Sequence, residues 1–274
     1  MASALTFAIH SSLLCHAGSA NVVSMRITIS KDAAGLGHQA ALEAACTIND
    51  AIARNGEARI VLSTGSSQFE TLAELVHMDV DWSRVTMFHL DEYLGLDAGH
   101  PASFRKYLLE RFISLVPLKA YHLVEGKEAQ LPELGRLLNE KPIDLGIIGI
   151  GENGHIAFND PPADIATDEP YIVVTLNDAC KRQQVGEGWF PTVDDVPDKA
   201  VSMSCRQILK CHHIVSAVPH RVKAKAIHDT LTAKAVTADI PATLLRTHPH
   251  WSLFLDTDSA SMLTLDEIAK VERL

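Results

Sequence analysis

Short runs of consecutive apolar residues alternate with stretches of helical periodicity from Met25 onward. Arg26-Ile-Thr-Ile-Ser30 reads as a first strand, and Arg59-Ile-Val-Leu-Ser63 as a second, short and buried. Behind the second, Phe69, Leu72, Ala73 and Val76 fall on one face of a helix. Val85-Thr-Met-Phe-His-Leu90 is again strand-like and leads through a polar loop to a helix over residues 103–113. Residues 143–148, 171–175, 214–218 and 251–255 supply further strands, with a helix over residues 222–231 before the last. Strands alternating with helices predict an α/β fold, a mostly parallel, doubly wound sheet with helices on both faces. No internal repeat, low-complexity segment or linker divides the chain, so a single domain over residues 25–274 is expected. Residues 1–24 carry no Lys or Arg and so lack the basic region of a secretory signal; they read as a disordered leader or an over-long start.

Ligands of such sheets sit beyond the carboxyl ends of the strands. Three polar clusters occur there: Thr64-Gly65-Ser66-Ser67, Asp91-Glu92-Tyr93, and residues 152–160. Composition adds little, since 47% hydrophobic and 21% charged residues describe an ordinary globular protein. Charge excludes more. With a formal net charge of −10, binding to nucleic acid or an anionic membrane would need a local basic patch. The densest basic run, Arg221-Val-Lys-Ala-Lys225, has only the spacing of one helix face. A small phosphorylated ligand remains compatible, because backbone amides and one or two cations suffice to hold it. The five cysteines are odd in number and lack C-x-x-C spacing, which predicts reduced thiols and a cytoplasmic setting. Cys211-His-His213 opens a strand-like segment, where neighbours point to opposite faces and chelate a metal poorly. Whether the chain forms a homo-oligomer stays open.

Gly149, Gly151 and Gly154 spell G-x-G-x-x-G behind the strand at residues 143–148. A dinucleotide cradle needs a helix opening at the third glycine, and Pro161-Pro162 stops any such helix early. The acidic residue expected about 20 residues on should end the next strand; Asp168 and Glu169 instead precede it. The glycines are better read as a tight backbone turn that presents His155.

The block Gly149-Ile-Gly-Glu-Asn-Gly-His-Ile-Ala-Phe-Asn-Asp-Pro161 closely resembles the signature of glucosamine-6-phosphate deaminases, also called isomerases. Leu62-Ser-Thr-Gly-Ser-Ser67, Phe88-His-Leu-Asp-Glu-Tyr-Leu-Gly95 and Lys223-Ala-Lys-Ala-Ile227 match in order, and His100-Pro-Ala-Ser-Phe104 and Thr247-His-Pro249 are similar too. The likeness runs from about residue 25 to residue 263. The sister 6-phosphogluconolactonases share the fold and the glycine-framed histidine but usually continue with Thr-Ala-Ser-Leu-Phe-Pro.

The resemblance implies conversion of glucosamine 6-phosphate and water to fructose 6-phosphate and ammonia, with no redox cofactor or metal. It implies phosphate capture by Thr64, Gly65, Ser66 and Ser67 at a helix N-terminus, although an ordinary helix cap uses the same residue types. Lys223 matches the phosphate-binding lysine, and Arg221 lies nearby. The family's phosphate-binding arginine has no secure counterpart in residues 181–189; Arg182 is the nearest candidate. Asp91 matches the carboxylate that shuttles a proton from C2 to C1, while Glu92, facing the other way, is expected to pair structurally. His155 matches the ring-opening acid/base, supported by Asn153 and Asp160. Two departures bear on it: Asp160 stands where the family commonly has Glu, and Asn153 where some members have Asp. Residues 161–191, with Gly186, Gly188, Trp189 and Phe190, read as a lid. Two competing readings are a lactone hydrolase, which needs His155 but no C2 base, and a non-catalytic sugar-phosphate sensor.

Overall fold

The computed structural model describes residues 25–271, so the reading of residues 1–24 and the thiol of Cys15 lie outside it. The chain opens with β1 (Arg26–Ser30), α1 (Ala33–Asn55), β2 (Ala58–Leu62) and α2 (Phe69–Leu75). Next come β3 (Val85–His89), β4 (Asp91–Tyr93), α3 (Phe104–Leu108), β5 (Ala120–His122), α4 (Leu131–Asn139) and β6 (Leu145–Ile147). β7 (Tyr171–Thr175), α5 (Asp178–Gly186), β8 (Lys199–Met203), α6 (Cys205–Ile208) and β9 (His213–Val218) follow. α7 (Ala224–Thr232), β10 (Trp251–Asp256) and α8 (Leu265–Val271) complete it.

Seven strands form one sheet in the order β1-β10-β9-β6-β2-β3-β5, and every pairing is parallel. Alternation along its strands explains why both faces are covered. Ile60, Leu62, Val85 and Met87 pack with α1 and α2 through Leu36, Ala40, Ala44, Ile48 and Leu72. Val61 and Phe88 point the other way, into a core shared with Leu134 and Leu138 of α4, Ile208 of α6 and Ile227 of α7. This is the doubly wound arrangement that the pattern predicts. The long helix α1 is held at both ends: Asp32 accepts from Gly35 N at 2.9 Å, and Gly56 closes it at φ 78°.

β7 departs from the expectation that it joins the parallel sheet. It pairs antiparallel with β8, which pairs antiparallel with β4, giving a second sheet in the order β4-β8-β7. The cluster Asp91-Glu92-Tyr93 is therefore a strand and not a polar loop. All three residues are buried, each by a different neighbour, so no alternation of polarity marks them.

His89, at the end of β3, is fully buried, and neither ring nitrogen has a partner among the described residues. Burial first, and then the charge of Arg105, pulls its pKa down to about 3. The folded chain thus keeps this ring neutral, while the unfolded chain binds a proton below about pH 6.5. Stability from this source is complete above that value and falls as pH drops from it toward 3. Between about pH 7 and 5 the wild type is expected to lose about 2 kcal/mol more than His89→Leu. Denaturant midpoints of the two proteins at both pH values check this.

Candidate active site

A cleft opens beyond the carboxyl ends of β2, β3, β6 and β9, and Thr64, Gly65, Ser66, Ser67, Asp91, His155 and Lys223 all line it. Gly65, at φ 99°, turns the chain out of β2 into the 3-10 turn Ser66–Gln68, which runs on into α2. Amides of a first helical turn have no intrahelical acceptor, so this turn offers donors to an anion, with the hydroxyls of Thr64, Ser66 and Ser67 alongside. The buried Gln68 braces the turn: its Nε2 donates to Ser67 Oγ at 3.0 Å and to Ala217 O of β9 at 3.1 Å. Tyr107 adds a hydrogen bond from its hydroxyl to Gly65 O at 3.0 Å.

β9 leads to the 3-10 turn Arg221–Lys223, which places Lys223 in the same cleft. Lys223 is only 7% exposed and makes no ion pair among the described residues. Burial lowers its pKa, with Glu187 and Glu152 partly opposing the shift. A buried ammonium without an anion is costly, and a bound phosphate would relieve that cost. Arg182 does not join it. Its guanidinium lies exposed, 3.8 Å from the Asp178 carboxylate one turn earlier on α5, outside the cleft. The structure does not bring Arg182, the expected phosphate ligand, into the cleft: α5 turns Arg182 outward and Gln183, Gln184 and Glu187 toward the cleft. Arg221 is exposed as well.

The reacting end is built on the small sheet. β3 ends at His89 and β4 begins at Asp91, so Leu90 carries the chain from one sheet to the other. Asp91 sits opposite Ser202 of β8 and is only 6% exposed. Burial, and secondarily the neighbouring Glu92 carboxylate, hold its pKa well above the usual range. Glu92 points to the other face, as expected on a strand. There it accepts from Ser103 Oγ at 2.8 Å, Arg105 N at 2.9 Å and Arg105 Nε at 3.1 Å, closing the start of α3.

The loop carrying His155 is stapled to the same small sheet. Ser202 Oγ accepts from Phe158 N at 3.1 Å, and Asn159 Nδ2 reaches Ile156 O at 2.8 Å, Met203 O at 2.9 Å and Ser202 Oγ at 3.1 Å. One serine thus fixes both the strand opposite Asp91 and the loop of His155. That connection is what brings two groups 64 positions apart in sequence to one cleft.

His155 Nδ1 meets Asn153 Oδ1 at 2.6 Å and Asp160 Oδ1 at 3.2 Å. Asn153 Oδ1 also accepts from His155 N at 3.1 Å, and Asn153 Nδ2 donates to Asp160 Oδ1 at 3.1 Å. Burial would raise the Asp160 pKa, but hydrogen bonds from His155 and Asn153 and the charge of His155 more than offset it, leaving the group ionised. Both neighbours of Nδ1 are therefore acceptors, so Nδ1 carries the proton and Nε2 keeps its lone pair for the cleft. The shorter Asp160 still reaches the imidazole, with Asn153 bridging the two. The ring also occupies the space that a Cβ on Gly151 would need. No helix opens at Gly154, whose φ is 80°, so the glycine pattern serves this histidine turn.

The segment expected as a lid is part strand, as β7, and part roof, as α5 with Trp189. Gln183, Gln184 and Glu187 line the cleft from it, and residue-by-residue motif matching missed all three. Their i, i+1, i+4 spacing was the available signal.

The family described as glucosamine-6-phosphate isomerases/6-phosphogluconolactonase matches over residues 31–253. A glucosamine-6-phosphate deaminase of Lactobacillus delbrueckii subsp. bulgaricus is 34% identical over 245 residues, covering 87% of this chain and 100% of that protein. One from Streptococcus pneumoniae serotype 4 is 35% identical over 215 residues, covering 76% of this chain and 89% of its own. A solved monomeric glucosamine-6-phosphate deaminase superposes with a TM-score of 0.79 at 27% identity, covering 87% of this chain and all of the other. A 6-phosphogluconolactonase from Thermotoga maritima gives 0.70 at 16% identity over 85% of this chain and 99% of its own, which is a likeness of fold alone. By sequence over most of its length, and by a fold that gathers the matching motifs into one cleft, the chain belongs to the glucosamine-6-phosphate isomerase/6-phosphogluconolactonase family.

Proposed function

We propose that this protein is a glucosamine-6-phosphate deaminase, releasing ammonia and fructose 6-phosphate from glucosamine 6-phosphate and water. The observation that carries the reading is the buried Asp91 held opposite Ser202, in one cleft with His155 and with Lys223, which makes no ion pair among the described residues. A lactone hydrolase needs no C2 base in the cleft, whereas a C2-to-C1 proton shuttle needs a positioned carboxylate such as Asp91.

The phosphate sits on the turn after β2 and on Lys223. His155 Nε2 takes the anomeric hydroxyl proton and delivers one to the ring oxygen, opening the ring. Its imidazolium is stabilised through Nδ1 by Asn153 and Asp160. Asp91 removes the C2 proton from the open-chain aldehyde while the C2 ammonium gives a proton to the C1 oxygen, yielding an enolamine. Asp91 then returns its proton to C1. The resulting C2 imine takes up water and loses ammonia, leaving the ketone.

Ammonia release across 6-phosphorylated glucosamine, galactosamine and gluconolactone tests the assignment. Ammonia from the first is expected; lactone hydrolysis without ammonia from either amino sugar overturns it. Lys223→Ala is expected to raise KM by about 10- to 100-fold, the worth of a charge-assisted hydrogen bond, with a smaller effect on kcat. An unchanged KM removes Lys223 from phosphate binding. No helix among the described residues is long and apolar enough to cross a membrane, and Cys180, Cys205 and Cys211 are free thiols. The free thiols are the ground on which we place the enzyme in the cytoplasm.

A further inference from the structure

We propose that Glu187 is the residue by which this site selects a sugar phosphate bearing a cationic amine, an inference that rests on the deaminase reading and names its specificity determinant. The mechanism above makes no use of Glu187, yet this residue lines the same cleft as Asp91, His155 and Lys223, and its charge acts on Lys223. It is also built to stay there. Gln183 Nε2 donates to Oε1 at 2.7 Å, and Trp189 Nε1 donates to Oε2 at 3.1 Å. Glu187 closes α5, and Gly188 at φ 82° turns the chain back so that Trp189 N bonds Gln184 O at 3.0 Å. Phe190 then anchors the turn in the interior, edge-on to Tyr93 at 5.3 Å and stacked on His100 at 5.4 Å.

Glu187 therefore stands on a clamped turn, and the indole it fixes lines the cleft beside it. An aromatic face beside a carboxylate suits a sugar, the ring packing on C–H groups and the carboxylate accepting from polar hydrogens. Charge makes the pair selective. Among the described residues that line the cleft, Lys223 is the one lysine or arginine, and a bound phosphate consumes its charge. Glu187 adds its charge to that of the ionised Asp91, and an Asp91→Asn background leaves the Glu187 share alone. The two anions oppose every sugar phosphate unless the ligand brings a positive charge of its own. A C2 ammonium does so; a C2 hydroxyl or acetamide does not. The acceptor-only Glu187 thus rewards the amino sugar and penalises its neutral counterparts.

The test uses the full chain with Asp91→Asn, so that ligands bind without turnover. Calorimetric titration with glucosamine 6-phosphate and with glucose 6-phosphate gives the preference between them. We expect the amino sugar to bind roughly tenfold tighter, and Glu187→Gln to reduce that ratio to about twofold or less by weakening the amino sugar alone. Equal weakening of both ligands makes Glu187 a structural part of the turn and overturns the inference. Where Glu187→Gln does not fold, Glu187→Asp carries the test. It withdraws the charge by one methylene and is expected to lower the ratio at least about threefold; an undiminished ratio overturns the inference. Absence of ammonia release by the wild type overturns the deaminase reading separately, because the binding ratio is measured without turnover.

Discussion

Asp91→Asn is expected to lower kcat for ammonia release by about 100- to 10,000-fold, the usual contribution of a positioned acid/base. Affinity for the phosphosugar should stay within about threefold, because the phosphate contacts lie on other strands. The amide matches the carboxylate in shape and keeps a place on β4 opposite Ser202, so the loss isolates proton transfer. Exchange of the C2 hydrogen with deuterated solvent should disappear with it; retained exchange would remove Asp91 from the mechanism. The same group predicts a pH dependence in the wild type. Asp91 must be ionised to accept the C2 proton, and burial together with Glu92 raises its pKa. Activity is lost as pH falls through that raised value, so the acid limb of kcat/KM should lie above the ordinary carboxylate range. A limb at the ordinary value would mean that another group sets it.

The second large effect is expected at a residue with no functional group. Gly151→Ala should lower kcat by about 100-fold, the cost of displacing a catalytic group by roughly an ångström. The new methyl group would take the space now filled by Cε1, Nδ1 and Nε2 of His155. The ring must swing away from Asn153 and Asp160, and Nε2 leaves its line to the substrate. Inorganic phosphate binding and the unfolding midpoint should change little, because Gly151 lies outside the regular elements and the phosphate turn rests on Gln68 and Tyr107. Activity of Gly151→Ala close to wild type would mean that the position of this imidazole is not limiting.

The parallel sheet and its loaded edge were legible because each buried strand is a local apolar run and each polar cluster directly follows one. The histidine block was legible because glycines, His155 and Asp160 sit within one short stretch. The second sheet was not. Nothing within residues 171–175 says whether they pair parallel with the core or antiparallel with β8, and β4 hides two carboxylates in three buried positions. The tie through Ser202 and Asn159 joins side chains more than 40 positions apart, which no local pattern reports. The outward placement of Arg182 was missed for a simpler reason. Its charge attracted notice, while the Asp178 one turn earlier, which shares its outward face, did not. α1 went unassigned because its buried side is largely alanine, whose small side chains give a faint periodic signal.

Anion grip and bond-making stand on separate frames in this molecule. The turns after β2 and β9 belong to the seven-stranded sheet, whereas Asp91 lies on the ribbon of β4, β8 and β7. The roof over the cleft follows β7, and the histidine loop that leaves β6 is tied to β8 through Phe158 and Asn159. A small tilt of that ribbon would re-aim the chemistry while the handle for phosphorylated sugars stayed in place. Retooling toward a new transformation of such sugars is thus open through substitutions confined to the ribbon and its loops, without rebuilding the main sheet.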